Sequence, residues 1–183
     1  MKKKIGIGLA VFVLVAGAFM MWFKSHTKSH SPVSEATYNR NGTEIKVVYC
    51  QPFKKGRLIF GEESDKALQP YGAYWRVGAN EATTFETNKD LKINGQELKA
   101  GKYQLYAIPG KGMWQIVFNS EWDRWGATDA EHKTDVLKTE VAAENGVPLS
   151  EQLRIDFEDT DSTQSKMVIH WDQTKVKVPV ESI

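Results

Sequence analysis

From Ser34 onward the apolar residues recur at every second position, in short runs that stop at asparagine, glycine or proline. Alternation of this kind puts one face of an extended strand on a core and the other in solvent, whereas an amphipathic helix needs a period near 3.6. Antiparallel β architecture is the class that fits. Asn41-Gly42 lies between "EATYNR" and "TEIKVVYC", and a two-residue type I′ turn requires positive φ at both central positions, which asparagine and glycine accept. The first two strands are therefore predicted as a hairpin. "AYWRV" and "TTFET" flank Gly78-Ala79-Asn80-Glu81, "DLKI" turns at Asn94-Gly95 into "QELKAGKYQLYAI", and Pro109-Gly110-Lys111-Gly112 reverses the chain into "MWQIVFN". "DVLKTEVAA", "EQLRIDFED", "SKMVIHWD" and "KVKVPV" bring the count to nine or ten strands. This spacing predicts one all-β antiparallel β-sandwich, jelly-roll-like at most, over residues 34–183. Only 127–135 and 142–152 could hold a helix, and Lys175, Lys177 and Pro179 suggest that the last strand is a protected edge.

Residues 5–23, "IGIGLAVFVLVAGAFMMWF", contain no charge. As a helix they would rise about 28 Å, close to the hydrocarbon thickness of a bilayer, with Trp22 and Phe23 at an interface. A single transmembrane signal anchor is predicted. Lys2, Lys3 and Lys4 place residues 1–4 in the cytoplasm, 24–33 form a polar tether, and the β domain is extracytoplasmic at the cell membrane, periplasmic in a Gram-negative cell. The alternative is cleavage near Ala18, where Ala16-Gly17-Ala18 fits a small-x-small site and the domain would be secreted. Either route exports the domain.

Three of the 24 Lys and Arg and none of the 23 Asp and Glu fall within 1–23, which leaves the remainder two charges negative. Such a domain has no basic field for nucleic acid. Cys50 is the single cysteine, so no intramolecular disulfide forms, and it reads as a small core residue. His26 and His30 lack a supporting shell for a metal, and no metal or cofactor is predicted.

The blocks "SPVSEATYNRNGTEIKVVYCQPFKKGRLIFG", "LQPYGAYWRVGANEATTFETNKDLKINGQELKAGKYQLYAIPG" and "WQIVFNSEWDRWGA" resemble, in order, motifs of the bacterial domain-of-unknown-function 2911 family over about residues 31–180. The resemblance implies an exported or membrane-linked domain, mainly β, with no established activity. It carries no catalytic assignment. The matching positions are Gly56-Arg57, Trp75-Arg76 with Gly78-Ala79-Asn80-Glu81-Ala82, and Ala100-Gly101 with Tyr103.

An arginine within a strand-like run must pair or face a wet cleft, because an isolated buried charge is costly. Glu81 is the nearest partner for Arg76, brought back by a turn through Gly78 and Ala79. The functional reading gathers Arg57, Trp75, Arg76, Asn80, Glu81 and Tyr103 into a surface of guanidinium, amide and carboxylate groups beside aromatic rings. Such a surface suits a small polar or carbohydrate-like ligand, or a cell-envelope partner. "QPFKKGR" adds Lys54 and Lys55 beside Gly56, without the helix of a phosphate loop. In "SEWDRWGA", Trp122 and Trp125 could stack on a ligand or simply cover the core. Glu81, Asp123 and His170 are the only residues a hydrolase could use, and no nucleophile elbow, zinc spacing or dinucleotide loop accompanies them. A purely structural or assembly role is the third reading.

Overall fold

The computed structural model describes residues 29–124, 128–160 and 164–183, together with Phe12, Val15, Ala16, Gly17 and Met20. The anchor predicted over 5–23 therefore lies mostly outside the described residues, and Trp125 lies outside them too. Among the described residues no helix is long and apolar enough to cross a membrane.

The strands are β1 (Val33–Arg40), β2 (Thr43–Cys50), β3 (Phe60–Gly61), β4 (Gln69–Pro70), β5 (Thr84–Thr87), β6 (Leu91–Ile93), β7 (Gln96–Leu98), β8 (Gly101–Ile108), β9 (Met113–Asn119), β10 (Asp135–Asp159) and β11 (Gln164–Ser182). Nine of them form one antiparallel sheet in the order β1-β2-β5-β8-β9-β10-β11-β6-β7, while β3 and β4 make a short parallel ribbon. Both asparagine-glycine turns are hairpins. Arg40 faces Thr43 around Asn41 (φ 52°) and Gly42 (φ 72°), and Ile93 faces Gln96 around Asn94 (φ 47°) and Gly95 (φ 82°). All four angles are the left-handed values that a type I′ turn requires.

The predicted sandwich of separate sheets is realised as one continuous sheet, because β10 is shared. Its residues 135–142 pair with β9, and 143–159 pair with β11 across register shifts near Ser150. "DVLKTEVAA" and "EQLRIDFED" are thus one strand, and 142–152 is extended rather than helical. Both margins of the sheet return to β10: Tyr38 lies 5.7 Å from Phe157, and Asn94 Nδ2 donates to Thr139 Oγ1 at 2.8 Å. The sheet wraps around a single core.

The expectation of a protected edge at the C-terminus is corrected in the same way. β11 lies between β10 and β6, and the sheet margins are β1 and β7. Pro179 sits between Val176, paired with β10, and Val180, paired with β6, so its missing N–H interrupts no ladder bond. "AYWRV" is not a strand either. Only Trp75 bridges, to Ala107, with both N–H···O distances 2.8 Å, and the positive φ of Val77 (51°) turns the chain away.

The centre of the core is aromatic. Phe60 lies 4.7 Å from Trp114, Trp75 meets Trp114 edge-on at 5.7 Å, and Trp75 stacks on Trp171 at 6.0 Å. The three tryptophans are fully buried, and each contributes about 5 kcal/mol of burial as an upper bound. This cluster is the floor on which the candidate site rests.

Candidate functional site

Two connections, 52–57 and 76–80, build the site above the buried indoles. Lys55 (φ 50°) and Gly56 (φ 70°) form the centre of a tight turn closed by the Arg57 N–H on the Lys54 carbonyl at 3.1 Å. Lys54 is drawn away from solvent: its Nζ lies 2.5 Å from Asp172 Oδ2 and 2.8 Å from the Arg57 carbonyl. Arg57 braces the same turn, donating from Nε to the Lys54 carbonyl at 2.9 Å. Glu151 holds the turn to β10 by accepting from the Lys54 and Lys55 amides, through its carbonyl at 2.7 Å and its carboxylate at 2.8 Å.

The second connection is strained. Val77 is β-branched and has φ 51°, a conformation that costs on the order of 1–3 kcal/mol. It is held by complete burial and by Thr83 Oγ1, which donates to its carbonyl at 2.9 Å. Gly78 is required by contact rather than by φ, since a Cβ there would lie 3.0 Å from the Cys50 carbonyl oxygen and 3.1 Å from Thr83 Oγ1. Asn80 follows with φ 59°, and Arg76 Nη1 donates to its carbonyl at 3.0 Å. The expected Arg76–Glu81 ion pair is replaced by this backbone contact.

Between the two connections lies a cavity of about 520 Å³. Arg57, Trp75, Arg76 and Asn80 all line it, so four of the six residues singled out in the sequence converge. Glu81 and Tyr103 do not. Glu81 lines a separate apolar recess of about 110 Å³ beside Cys50, whose Sγ lies 3.5 Å from Glu81 Oε2. Burial, reinforced by the Glu81 charge, pushes the Cys50 thiol up, against any reactive role. Tyr103 belongs to the core and donates its hydroxyl to the Lys99 carbonyl at 2.8 Å. Trp122 is likewise remote from the cavity, with Lys102 Nζ 4.3 Å from its ring centroid.

The cavity also takes in residues that the sequence reading left aside. Trp171 contributes from β11, Phe53 from the first connection, and Tyr74 from the segment before Trp75; Asp129 comes from the loop ahead of β10. Their separation along the chain, up to about a hundred positions from Trp75 to Trp171, gave no local pattern by which to find them. His30 and Ser31 stand at the same cavity, with Lys55 Nζ 3.0 Å from His30 Nδ1. Burial raises the Tyr74 hydroxyl, and the charge of Arg76 pulls it back.

Charge pairing separates this cavity from the rest of the domain. Of the five arginines, Arg40, Arg124 and Arg154 pair with Asp159, Glu121 and Asp156. Among the described residues Arg57, Arg76 and Lys55 have no carboxylate partner, and all three line the cavity against the single carboxylate of Asp129. The indole N–H groups of Trp75 and Trp171 are also buried without an acceptor, whereas the Asn80 amide is directed to the Cys50 thiol. A second concavity of about 630 Å³, bordered by Lys46 and Glu86, offers no such excess, because Lys46 pairs with Glu35 and Glu86 with Lys102.

A second polar cluster lies on the outer face of β8 and β9. Tyr106 Oη donates to Asp135 Oδ2 at 2.8 Å and lies 3.0 Å from His132 Nδ1. Asn119 Nδ2 meets Asp135 Oδ1 at 2.8 Å and both the Glu131 carbonyl and Thr134 Oγ1 at 3.0 Å. Burial and the bond to Asp135 push the Tyr106 hydroxyl well above the usual tyrosine range. Among the described residues no group of three or more His, Cys, Asp and Glu is arranged to hold a metal.

No curated protein and no solved structure matches the chain. The strained 76–80 turn, the 52–57 connection and the sheet that carries them all fall within residues 31–180, which match the family model described as protein of unknown function (DUF2911), and the chain belongs to that family.

Proposed function

We propose that this chain is a membrane-anchored extracytoplasmic β domain whose cavity binds a small polar ligand. The observation that carries the reading is the convergence of Arg57, Trp75, Arg76 and Asn80 on one cavity of about 520 Å³, a size within the range of small-molecule sites. The backbone strain at Val77 supports it, since such strain collects where a site is held in place. The anchor rests on the uncharged stretch 5–23, with Lys2, Lys3 and Lys4 on the cytoplasmic side. A product secreted after cleavage near Ala18 is the alternative form. Residues 24–29 separate the apolar stretch from His30, and extended they reach about 20–25 Å. An uncleaved anchor would therefore hold the cavity close to the bilayer surface.

The hydrolase reading has no observation in its favour: Glu81 lines the recess beside Cys50 and is not among the residues of the cavity. An envelope protein as partner is a reading that the sheet margins β1 and β7 leave open to test by crosslinking. The test of the leading reading is protease digestion of the full chain in sealed membranes from each side, followed by extraction at alkaline pH. Digestion of the β domain from the extracytoplasmic side only, with the chain retained in the membrane pellet, is the expected result. A domain digested only from the cytoplasmic side would overturn the placement, and release into the supernatant would favour the cleaved form.

A further inference from the structure

The ligand-binding reading can be made more specific by the imbalance of charge in the cavity. We propose that the cavity takes the oxyanion group, a carboxylate or a phosphate, of a larger organic molecule, with Arg57 and Arg76 as its counter-ions. This inference rests on the cavity being a binding site and adds the chemistry of what it binds.

Two guanidinium groups and an ammonium group face one concavity with a single carboxylate, in a domain that is net negative outside the apolar stretch. Like charges held together destabilise the folded state unless a counter-charge is supplied, and concave walls strengthen their combined field. Elsewhere in the described residues the arginines meet that condition with their own carboxylates. Here the protein supplies backbone carbonyls instead: Asn80 to Arg76, and Lys54 and Phe53 to Arg57. These fix the guanidinium planes and leave their charge uncompensated. Planar guanidinium groups fixed in this way suit the paired oxygens of a carboxylate or phosphate.

The buried atoms without partners point the same way. Those belonging to its lining residues, the indole nitrogens of Trp75 and Trp171, are donors, while the Asn80 amide is directed to the Cys50 thiol. A neutral sugar brings hydroxyls that donate and accept alike but no charge to offset Arg57, Arg76 and Lys55. An oxyanion brings acceptors alone. A volume of about 520 Å³ exceeds what a bare ion fills, and the rings of Phe53 and Tyr74 offer flat walls for the remainder of the molecule.

The test is thermal melting of the full chain in detergent with glucose, glucuronate, glucose 6-phosphate and inorganic phosphate, beside melting of the full chain reconstituted into vesicles of phosphatidylglycerol or phosphatidylcholine. Glucose 6-phosphate and glucuronate are expected to raise the Tm, glucose to leave it unchanged, and added salt to shrink the shift. Arg57→Met and Arg76→Met should each weaken the response about tenfold, the loss of one charged contact. Lys55→Met, at an exposed position whose side chain meets His30 among the described residues, should weaken the response too while leaving the strained turn untouched, which separates loss of charge from misfolding. A Tm higher in phosphatidylglycerol than in phosphatidylcholine vesicles, with the difference lost in the arginine variants, would identify the oxyanion as a lipid headgroup; free phosphate esters acting without it would identify a soluble ligand. Glucose raising the Tm as much as glucose 6-phosphate would overturn the oxyanion assignment and leave the binding site standing. No response to any probe or vesicle would overturn both.

Discussion

The cluster around Asp135 and the cavity around Arg76 are both polar regions carried on the same β scaffold, and they are completed in opposite ways. On the outer face, Asp135 receives Tyr106 and Asn119 on its two oxygens, and Asn119 spends the rest of its amide on Glu131 and Thr134. In the cavity, Arg57, Arg76 and Lys55 find carbonyls or an imidazole but no carboxylate among the described residues. Both regions sit where a long connection crosses a sheet, so burial alone does not distinguish them. Closure does. A polar cluster that satisfies itself ties a loop to the sheet, and one that leaves like charges exposed in a cleft awaits a partner from outside.

The largest expected effect breaks the closed cluster. Asp135→Ala removes two hydrogen bonds to a carboxylate, from the Tyr106 hydroxyl and the Asn119 amide, and leaves these donors His132, Glu131 and Thr134 as neighbours. A loss of about 2–3 kcal/mol in urea unfolding is expected, since hydrogen bonds to a charged group are worth more than neutral ones. A loss below about 0.5 kcal/mol would mean that water replaces the carboxylate freely and that the cluster is not a structural tie.

A smaller effect sharpens the same contrast through pH. Tyr106 holds its proton in the folded chain beyond the point at which the unfolded chain releases it, near pH 10. The unfolded state therefore binds fewer protons above that pH. The contribution of Tyr106 is complete below about pH 10 and is lost as pH rises toward the folded value. Tyr106→Phe should cost about 1 kcal/mol at neutral pH, and the gap between variant and wild type should narrow in alkaline solution. A gap that stays constant from pH 7 to pH 11 would place the effect of the hydroxyl in packing instead.

Much of this scaffold was legible in the sequence, because alternation and turn chemistry are local. Asn41-Gly42 and Asn94-Gly95 state their own φ angles, and the alternating run before Cys50 names its buried face, whereas β8 is buried on both faces from Tyr103 to Ala107. The joining of strands was not legible. "DVLKTEVAA" and "EQLRIDFED" are separated by residues 144–150, within a stretch that could hold a helix, yet the strand continues through them with β11 alongside. The site was half legible for the same reason. Arg76 and Asn80 declare themselves by interrupting a strand pattern, whereas Trp171 and Asp129 reach the cavity only through the wrapping of the sheet. Sequence proximity suggests Glu81 as a partner for Arg76, whereas in the structure its carboxylate lines the recess beside Cys50.

The smallest expected effect decides whether the cavity belongs with the closed cluster after all. Arg76→Met keeps a side chain of similar length packed at a half-buried position and removes one hydrogen bond to the Asn80 carbonyl. That bond is worth about 1 kcal/mol, and removing one of three neighbouring cations relieves repulsion that no carboxylate but Asp129 offsets on the cavity wall. The two effects oppose each other, so the unliganded variant should unfold within about 1 kcal/mol of the wild type, with the balance shifting against the variant as salt screens the repulsion. A loss matching that of Asp135→Ala would make Arg76 a structural tie of the strained turn. A near-neutral result, set beside a ligand response about tenfold weaker, would mean that the guanidinium is kept at little benefit to folding, which is the relation between stability and binding expected of a site rather than a brace.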